Sequence, residues 1–249
     1  MKGRTAVITG GGSGIGAAAA RRFASQGAKV VLVGRRKDRL DAVAKEIGTT
    51  ARAIACDVAS SSAVEAMARE VGPCDVLVYY AGIAKSAPIA KTDDALWNEI
   101  LAINLTGTFL CTRAFLPGMA ERGWGRVINV ASIAGKAGMQ YTSAYCASKH
   151  GVVGLTRAVA LECARKGVTV NAVCPGWVDS EMTDTSVANI SGKTKMSEAE
   201  ARAFLAGQSP QNRLMTPEEI AGLIAWLCSD EAAGITAQAI NVDGGQLQS

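Results

Sequence analysis

A single histidine occurs in 249 residues, His150, and no Cys, Asp or Glu stands at ligand spacing from it. Neither a metal site nor a His-based nucleophilic triad can be assembled from such a chain, so no metal is expected. Aromatic residues make up only 5%, and the 26 basic residues exceed the 22 acidic ones without forming a basic block. A nucleic-acid surface needs clustered cations interleaved with stacking rings, so that partner is not expected. No apolar run approaches the ~20 residues that span a bilayer, and no membrane is expected. The seven cysteines are odd in number, scattered and without a C-x-x-C pair. They read as small buried hydrophobes in a reducing compartment rather than as a disulfide framework. Residues 1–5 run directly into strand-like sequence, so no leader is expected and the chain reads as cytoplasmic.

What is present is a regular alternation. Hydrophobic residues at 49% and charged residues at 19% place the chain among globular proteins. Short β-branched runs at 5–9, 30–34, 51–57, 76–81, 126–132, 168–175 and 239–242 alternate with stretches of helical period. Those stretches cover 14–26, 37–47, 60–71, 92–122 (bent near Thr106 and Gly107), 143–166 and 217–229. Continuous apolar strands separated by helices predict a parallel sheet buried on both faces. Right-handed crossovers make it doubly wound, and no linker or repeat divides it. The expected fold is a seven-stranded α/β sheet in one domain, 1–249. Residues 179–213 break the rhythm: Ser/Thr/Gly-rich at first, helical from about 197, and placed after a strand. Ligands bind outside the carboxyl ends of such strands, so a substrate lid is expected there, with an ordinary surface loop as the alternative.

The first strand ends in Thr9-Gly10-Gly11-Gly12-Ser13-Gly14-Ile15-Gly16 and opens an Ala-rich helix. Glycines let the backbone turn tightly and approach a pyrophosphate, while the helix N-terminus offers free N–H groups. In this setting the loop reads as a Rossmann-type dinucleotide site. The end of the second strand then decides which dinucleotide. An acidic residue there would bind a ribose 2′-OH and repel a 2′-phosphate. The sequence is Gly34-Arg35-Arg36-Lys37, and guanidinium groups suit a phosphate in charge and geometry. NADP(H) is expected over NAD(H).

After the fifth strand, which ends at Ser132, the next helix carries Tyr145 and Lys149. At i and i+4 they share one helix face. A free phenol titrates near ~10, and a neighbouring ammonium favours its ionised form. Hydride transfer to a carbonyl needs a hydride carrier, a proton donor and a hydrogen-bond donor for the developing charge. Tyr145 and Ser132 are the candidates for the last two.

These motifs together resemble the single-domain branch of the short-chain dehydrogenase/reductase family over essentially the whole chain. Its cofactor motif is matched by Thr9, Gly10, Ser13, Gly14, Ile15 and Gly16, and its adenine-contacting pair by Asp57 and Val58. Asn104, Ser132, Tyr145 and Lys149 match its catalytic set in order and spacing. Pro175, Gly176, Val178 and Ser180 resemble the segment that meets the nicotinamide, with Ser180 where Thr is common. The resemblance implies that Tyr145 acts as acid/base while Ser132 orients the substrate. Lys149 lowers the Tyr145 pKa and holds the nicotinamide ribose, and Asn104 supports a proton-supplying water chain. It also implies a small ketone or alcohol substrate and a homo-oligomer, tetramer or dimer, with the apolar 237–242 segment compatible with a subunit contact.

One departure stands out. The family usually reads Asn-Asn-Ala-Gly after the fourth strand, whereas this chain has Tyr79-Tyr80-Ala81-Gly82. Two phenols there can reshape the cofactor cleft, weaken binding, or be absorbed by repacking; Ala81 and Gly82 still allow close backbone approach. The stretch 143–178 also resembles bacterial ketoreductases acting on acyl thioesters and polyketides, and Lys193 and Lys195 are placed to meet a carrier's phosphates. Against a polyketide role, 83–88 lacks those enzymes' Gly-rich substrate loop. A 3-oxoacyl thioester reductase and a nucleotide-binding regulator without turnover are the two alternatives.

Overall fold

Valine, isoleucine and leucine dominate the short strands, and the alternation of their side chains generates two cores, one on each side of a sheet. The computed structural model describes residues 1–248. Its strands are β1 (Thr5–Thr9), β2 (Lys29–Gly34), β3 (Ala51–Ala55), β4 (Val76–Tyr79), β5 (Gly125–Val130), β6 (Val168–Pro175) and β7 (Ala239–Val242). All pair in parallel, in the order β3-β2-β1-β4-β5-β6-β7. The expected doubly wound, seven-stranded Rossmann-type sheet is therefore observed. From β1, Ala6 and Ile8 enter one core while Val7 enters the other. From β4, Val76 and Val78 face one side, Leu77 and Tyr79 the opposite one, as the period of 2 requires.

Helices cover both faces. On one side α1 (Gly14–Ser25) and α9 (Pro217–Leu227) bury Phe23, Ile220 and Ile224, joined by Leu40 of α2 (Lys37–Ile47). On the other, α3 (Ser61–Val71), α5 (Gly107–Glu121) and α6 (Ser143–Cys163) contribute Met67, Phe115, Met119 and Val159. Six of the seven thiols are buried, and burial pushes Cys74 and Cys228 up to about 12, so they act as inert packing groups.

The helical run expected at 92–122 is α4 (Asp94–Leu101) and α5 joined by a π-helical turn, Ala102–Thr106. As a continuous 28-residue stretch it is long and apolar enough, by length and composition, to cross a bilayer. That revises the expectation that no segment reaches such a length. Half of its most apolar window is buried inside the fold, with Leu110, Cys111, Phe115 and Met119 in the core, which is how a core helix passes the same test.

Residues 179–213 hold two helices, α7 (Glu181–Lys193) and α8 (Glu198–Ala206). The first lies where the sequence reads as irregular, because serine and threonine mask a helical spacing of Thr183, Val187 and Ile190. Glu181 and Asp184 in its first turn complement the helix dipole. Val187 and Ile190 then pack with Ala201 and Leu205 of α8 and with Trp177 in a small separate core. A capping box, Ser197 with Glu200, starts α8, and another, Thr216 with Glu219 followed by Pro217, starts α9. Because β1 is flanked by β2 and β4, the chain winds outward in both directions from that point, and a cleft opens above the carboxyl ends of these strands.

Candidate functional site

The floor of the cleft is the turn between β1 and α1. Gly10 and Gly14 adopt positive φ, +69° and +51°, which a side chain would make costly. A Cβ at Gly16 would run into the carbonyl of Gly10. Ser13 precedes α1 without capping it, and no acidic residue lies in the first turn. The helix therefore presents N–H groups and a positive dipole end to an anion, which fits a pyrophosphate. Thr9 braces the turn from below: its Oγ1 accepts from the N–H groups of Tyr80 and Ala81, each at 3.0 Å.

Above this floor lies a void of about 380 Å³ bordered by Gly10, Ser13, Gly14, Arg36, Ala81, Gly82 and Ser180 among the expected residues. A second lobe of about 120 Å³ is bordered by Arg35, Asp57, Val58, Ala81 and Gly82. Asp57 Oδ1 is engaged by the Ala59 N–H at 3.0 Å. Pro175, Gly176 and Val178 lie behind the void rather than on it: Gly176 donates to the Val242 carbonyl, and Val178 is buried and bridges to Met215. Sequence reasoning missed Arg39 and Glu181, which border the larger lobe together with Tyr80. Arg39 had a signal, since it follows Arg36 by three residues and so shares its helix face. Glu181 had none.

Ser132, Tyr145 and Lys149 come together, while Asn104 reaches their helix only through Ser148. Ser132, two residues beyond the end of β5, is extended and caps a short 3₁₀ turn, accepting from the Ala134 N–H at 3.1 Å. Its hydroxyl is hydrogen-bonded with the phenol of Tyr145. The Lys149 ammonium is buried, donates to the Val130 carbonyl at 2.8 Å, and lies 5.8 Å from the centre of the Tyr145 ring. Burial acts on both groups. It pushes Tyr145 up to about 12, against the lowering effect of Ser132, and Lys149 down to about 8. Asn104 sits in the π turn, fully buried. Its Oδ1 accepts from Ile83 N–H at 2.9 Å, and its Nδ2 donates to the Ile83 carbonyl at 2.9 Å and to Ser148 Oγ at 3.1 Å. The side chain thus clamps the 82–83 loop to α6.

The two unusual tyrosines separate by strand alternation. Tyr79 turns into the core, 2% exposed, and donates to the Ile103 carbonyl of the π turn at 2.5 Å. Gly107 makes the room, because a Cβ there would collide with the Tyr79 hydroxyl. Tyr80 turns the other way. Its ring lies in the hollow left by Gly10 and Gly16, and its hydroxyl lies over Gly14 beside the Ile15 N–H. One phenol is absorbed by repacking and the other reshapes the cleft. Among the described residues no group of three His, Cys, Asp or Glu is positioned to hold a metal ion.

A glycine-floored helix N-terminus at the switch point of a parallel sheet defines the class of dinucleotide-binding α/β folds. Residues 4–191 match the short chain dehydrogenase family model, and the chain belongs to the short-chain dehydrogenase/reductase family of oxidoreductases. It is 42% identical to a Streptomyces coelicolor protein named as a ketoacyl reductase, over 96% of this chain and 95% of the relative. Identity to a D-beta-hydroxybutyrate dehydrogenase of Cupriavidus necator is 38%, over 98% of each. Among solved structures it is similar to a single-residue variant of actinorhodin polyketide ketoreductase with NADPH. That likeness has a TM-score of 0.94 and 42% identity, and covers 98% of this chain and 97% of the other.

Proposed function

We propose that the protein interconverts a ketone and a secondary alcohol with NADP(H), with Tyr145 as the acid/base. The observation that carries this reading is the Ser132–Tyr145–Lys149 cluster, its ammonium buried and bonded to the Val130 carbonyl, in a fold whose cleft is bordered by Arg36 and Arg39. When bound, the dinucleotide supplies or accepts the hydride. The glycine turn and the α1 N-terminus would hold its pyrophosphate, Asp57 and Val58 its adenine, and Arg35, Arg36 and Arg39 a 2′-phosphate. The NADPH present with the actinorhodin ketoreductase supports the same choice.

In reduction, Ser132 would donate to the substrate oxygen while Tyr145 gives up its phenolic proton to that oxygen as negative charge develops there. At pH 7 Tyr145, pushed up to about 12, keeps its proton, and Lys149, at about 8, keeps its charge. That state is loaded for proton donation. In the reverse direction Tyr145 must be ionised first, and the Lys149 ammonium stabilises the phenolate. The Asn104 side chain is fully committed to Ile83 and Ser148. Its contribution to a proton-supplying water chain would therefore come through its carbonyl, which also accepts from Thr108 at 2.6 Å.

The likeness to a ketoacyl reductase favours a second, narrower reading, a 3-oxoacyl thioester as substrate, with Lys193 and Lys195 of the proposed lid toward the carrier. The likeness to a hydroxybutyrate dehydrogenase favours a small free hydroxy acid instead. Loss of NADPH absorbance across a panel of ketones, 3-oxoacyl thioesters and 3-oxo acids separates them, with NADH run in parallel. Turnover of at least one carbonyl with NADPH, at least tenfold faster than with NADH, is expected. Cofactor binding without turnover on any carbonyl would replace the enzyme with a regulator.

A further inference from the structure

Two of the protein's own side chains lie against the groups assigned above to the cofactor's phosphates. Glu181, the first residue of α7, reaches across the cleft to α2. Its Oε2 lies 3.5 Å from the Arg36 guanidinium, and its Oε1 pairs with Arg39. The three partners are 142 and 145 residues apart in sequence, so the contact belongs to the tertiary structure alone. At the other phosphate position Tyr80 rests on the glycine floor. A Cβ at Gly10 or Gly16 would come within 3.0 or 2.9 Å of its Cδ1, and one at Gly14 within 2.8 Å of its hydroxyl. That hydroxyl lies beside the N–H of Ile15 at the start of α1, one of the few unpaired donors a helix offers an anion.

We propose that Glu181 and Tyr80 compete with the cofactor for its own site, Glu181 against a 2′-phosphate, which makes it specificity-determining, and Tyr80 against the pyrophosphate, which sets the affinity for either dinucleotide. The proposal rests on the NADP(H) assignment above. Both competitors are weaker ligands than what they displace. The Glu181 carboxylate carries one charge on a half-exposed side chain, paired with half-exposed arginines, and exposed pairs of this kind exchange readily. A phosphate monoester brings nearly twice that charge and three acceptor oxygens. The Tyr80 hydroxyl is neutral, and an anion at a helix N-terminus gains from the dipole as well as from the N–H. A ligand lacking the 2′-phosphate does not need Arg36 and Arg39, so the carboxylate weakens only the 2′-phosphorylated ligand and narrows the preference between the two dinucleotides.

Equilibrium calorimetric titration of wild type, Glu181→Gln, Tyr80→Phe and Tyr80→Asn with 2′-AMP, NADPH and NADH tests this. Glu181→Gln is expected to tighten 2′-AMP and NADPH about threefold to tenfold and to leave NADH unchanged. Both Tyr80 variants are expected to tighten NADPH and NADH alike and to leave 2′-AMP unchanged. Tyr80→Phe keeps the packing and removes only the competing hydroxyl, so it reads the same effect if Tyr80→Asn folds poorly. Unchanged or weakened binding in Glu181→Gln would overturn the competition, because the carboxylate would then be ordering the arginines for the ligand. Wild type binding NADPH with no tightening in any variant sinks this inference alone. Absence of NADPH binding in all four proteins removes the cofactor assignment with it.

Discussion

At the proposed reacting end the polar side chains are tied to the backbone: Asn104 to Ile83, Lys149 to Val130, Ser132 to Ala134. At the proposed adenosine end they are tied to one another, Arg36 and Arg39 to Glu181, and all are half exposed. The first arrangement fixes geometry before any ligand arrives, which is what proton transfer demands. The second holds position weakly and yields to a better anion. Fixed chemistry and exchangeable recognition are thus separated along a single cleft. The paired tyrosines repeat the division on a smaller scale, Tyr79 locked into the core and Tyr80 laid on the glycine floor.

The comparison can be broken first by titration. Lys149 falls from its ordinary 10.5 to about 8 through burial, so between those values the unfolded chain binds more protons than the folded one. Stability from this group therefore rises with pH across that window, by up to about 3 kcal/mol. Tyr145 works in the opposite sense. Raised from 10.0 to about 12, it stabilises below pH 10, and that contribution is lost as pH climbs through about 12. Urea unfolding of wild type and Lys149→Met from pH 7 to 10.5 isolates the lysine. The wild type should gain on the variant as pH rises, and a flat difference would mean that the ammonium is solvated rather than fixed in a dry site.

A somewhat smaller effect is expected from Gly107→Ala, which drives a methyl group into the Tyr79 hydroxyl and should cost about 1–3 kcal/mol. Adding Tyr79→Phe removes the colliding atom, and at least half of the loss should return in a double-mutant cycle. Additive losses would show that the two positions are not coupled through the π turn. Smallest of all is Glu181→Gln. Exposed pairs contribute only about 0–1 kcal/mol, so its unfolding midpoint should stay near wild type even as its phosphate affinity changes.

The same contrast explains what was legible in the sequence. A doubly wound parallel sheet buried on both faces, the turn between β1 and α1, and the Tyr145–Lys149 pair follow from local signals: strand period, a glycine turn before a helix, and an i, i+4 pair after the fifth strand. Arg39 lay within reach of the same reasoning through its spacing from Arg36. Glu181 did not, since its partners are more than 140 residues away and the helix that begins with it is disguised by serine and threonine. The Tyr79-Tyr80 departure was visible, but its consequence was not. Alternation sends the two rings to opposite faces, and only the packed structure reveals that one face offers the space above Gly107 and the other the hollow over Gly10 and Gly16.

The central claim is that the Tyr145 hydroxyl moves the proton. NADPH-dependent ketone reduction by Tyr145→Phe, measured beside equilibrium NADPH binding to the same protein, tests it directly. The account predicts turnover lowered by about 10²–10⁴-fold with cofactor affinity within a few-fold of wild type. Turnover matching wild type in the Phe variant would contradict it.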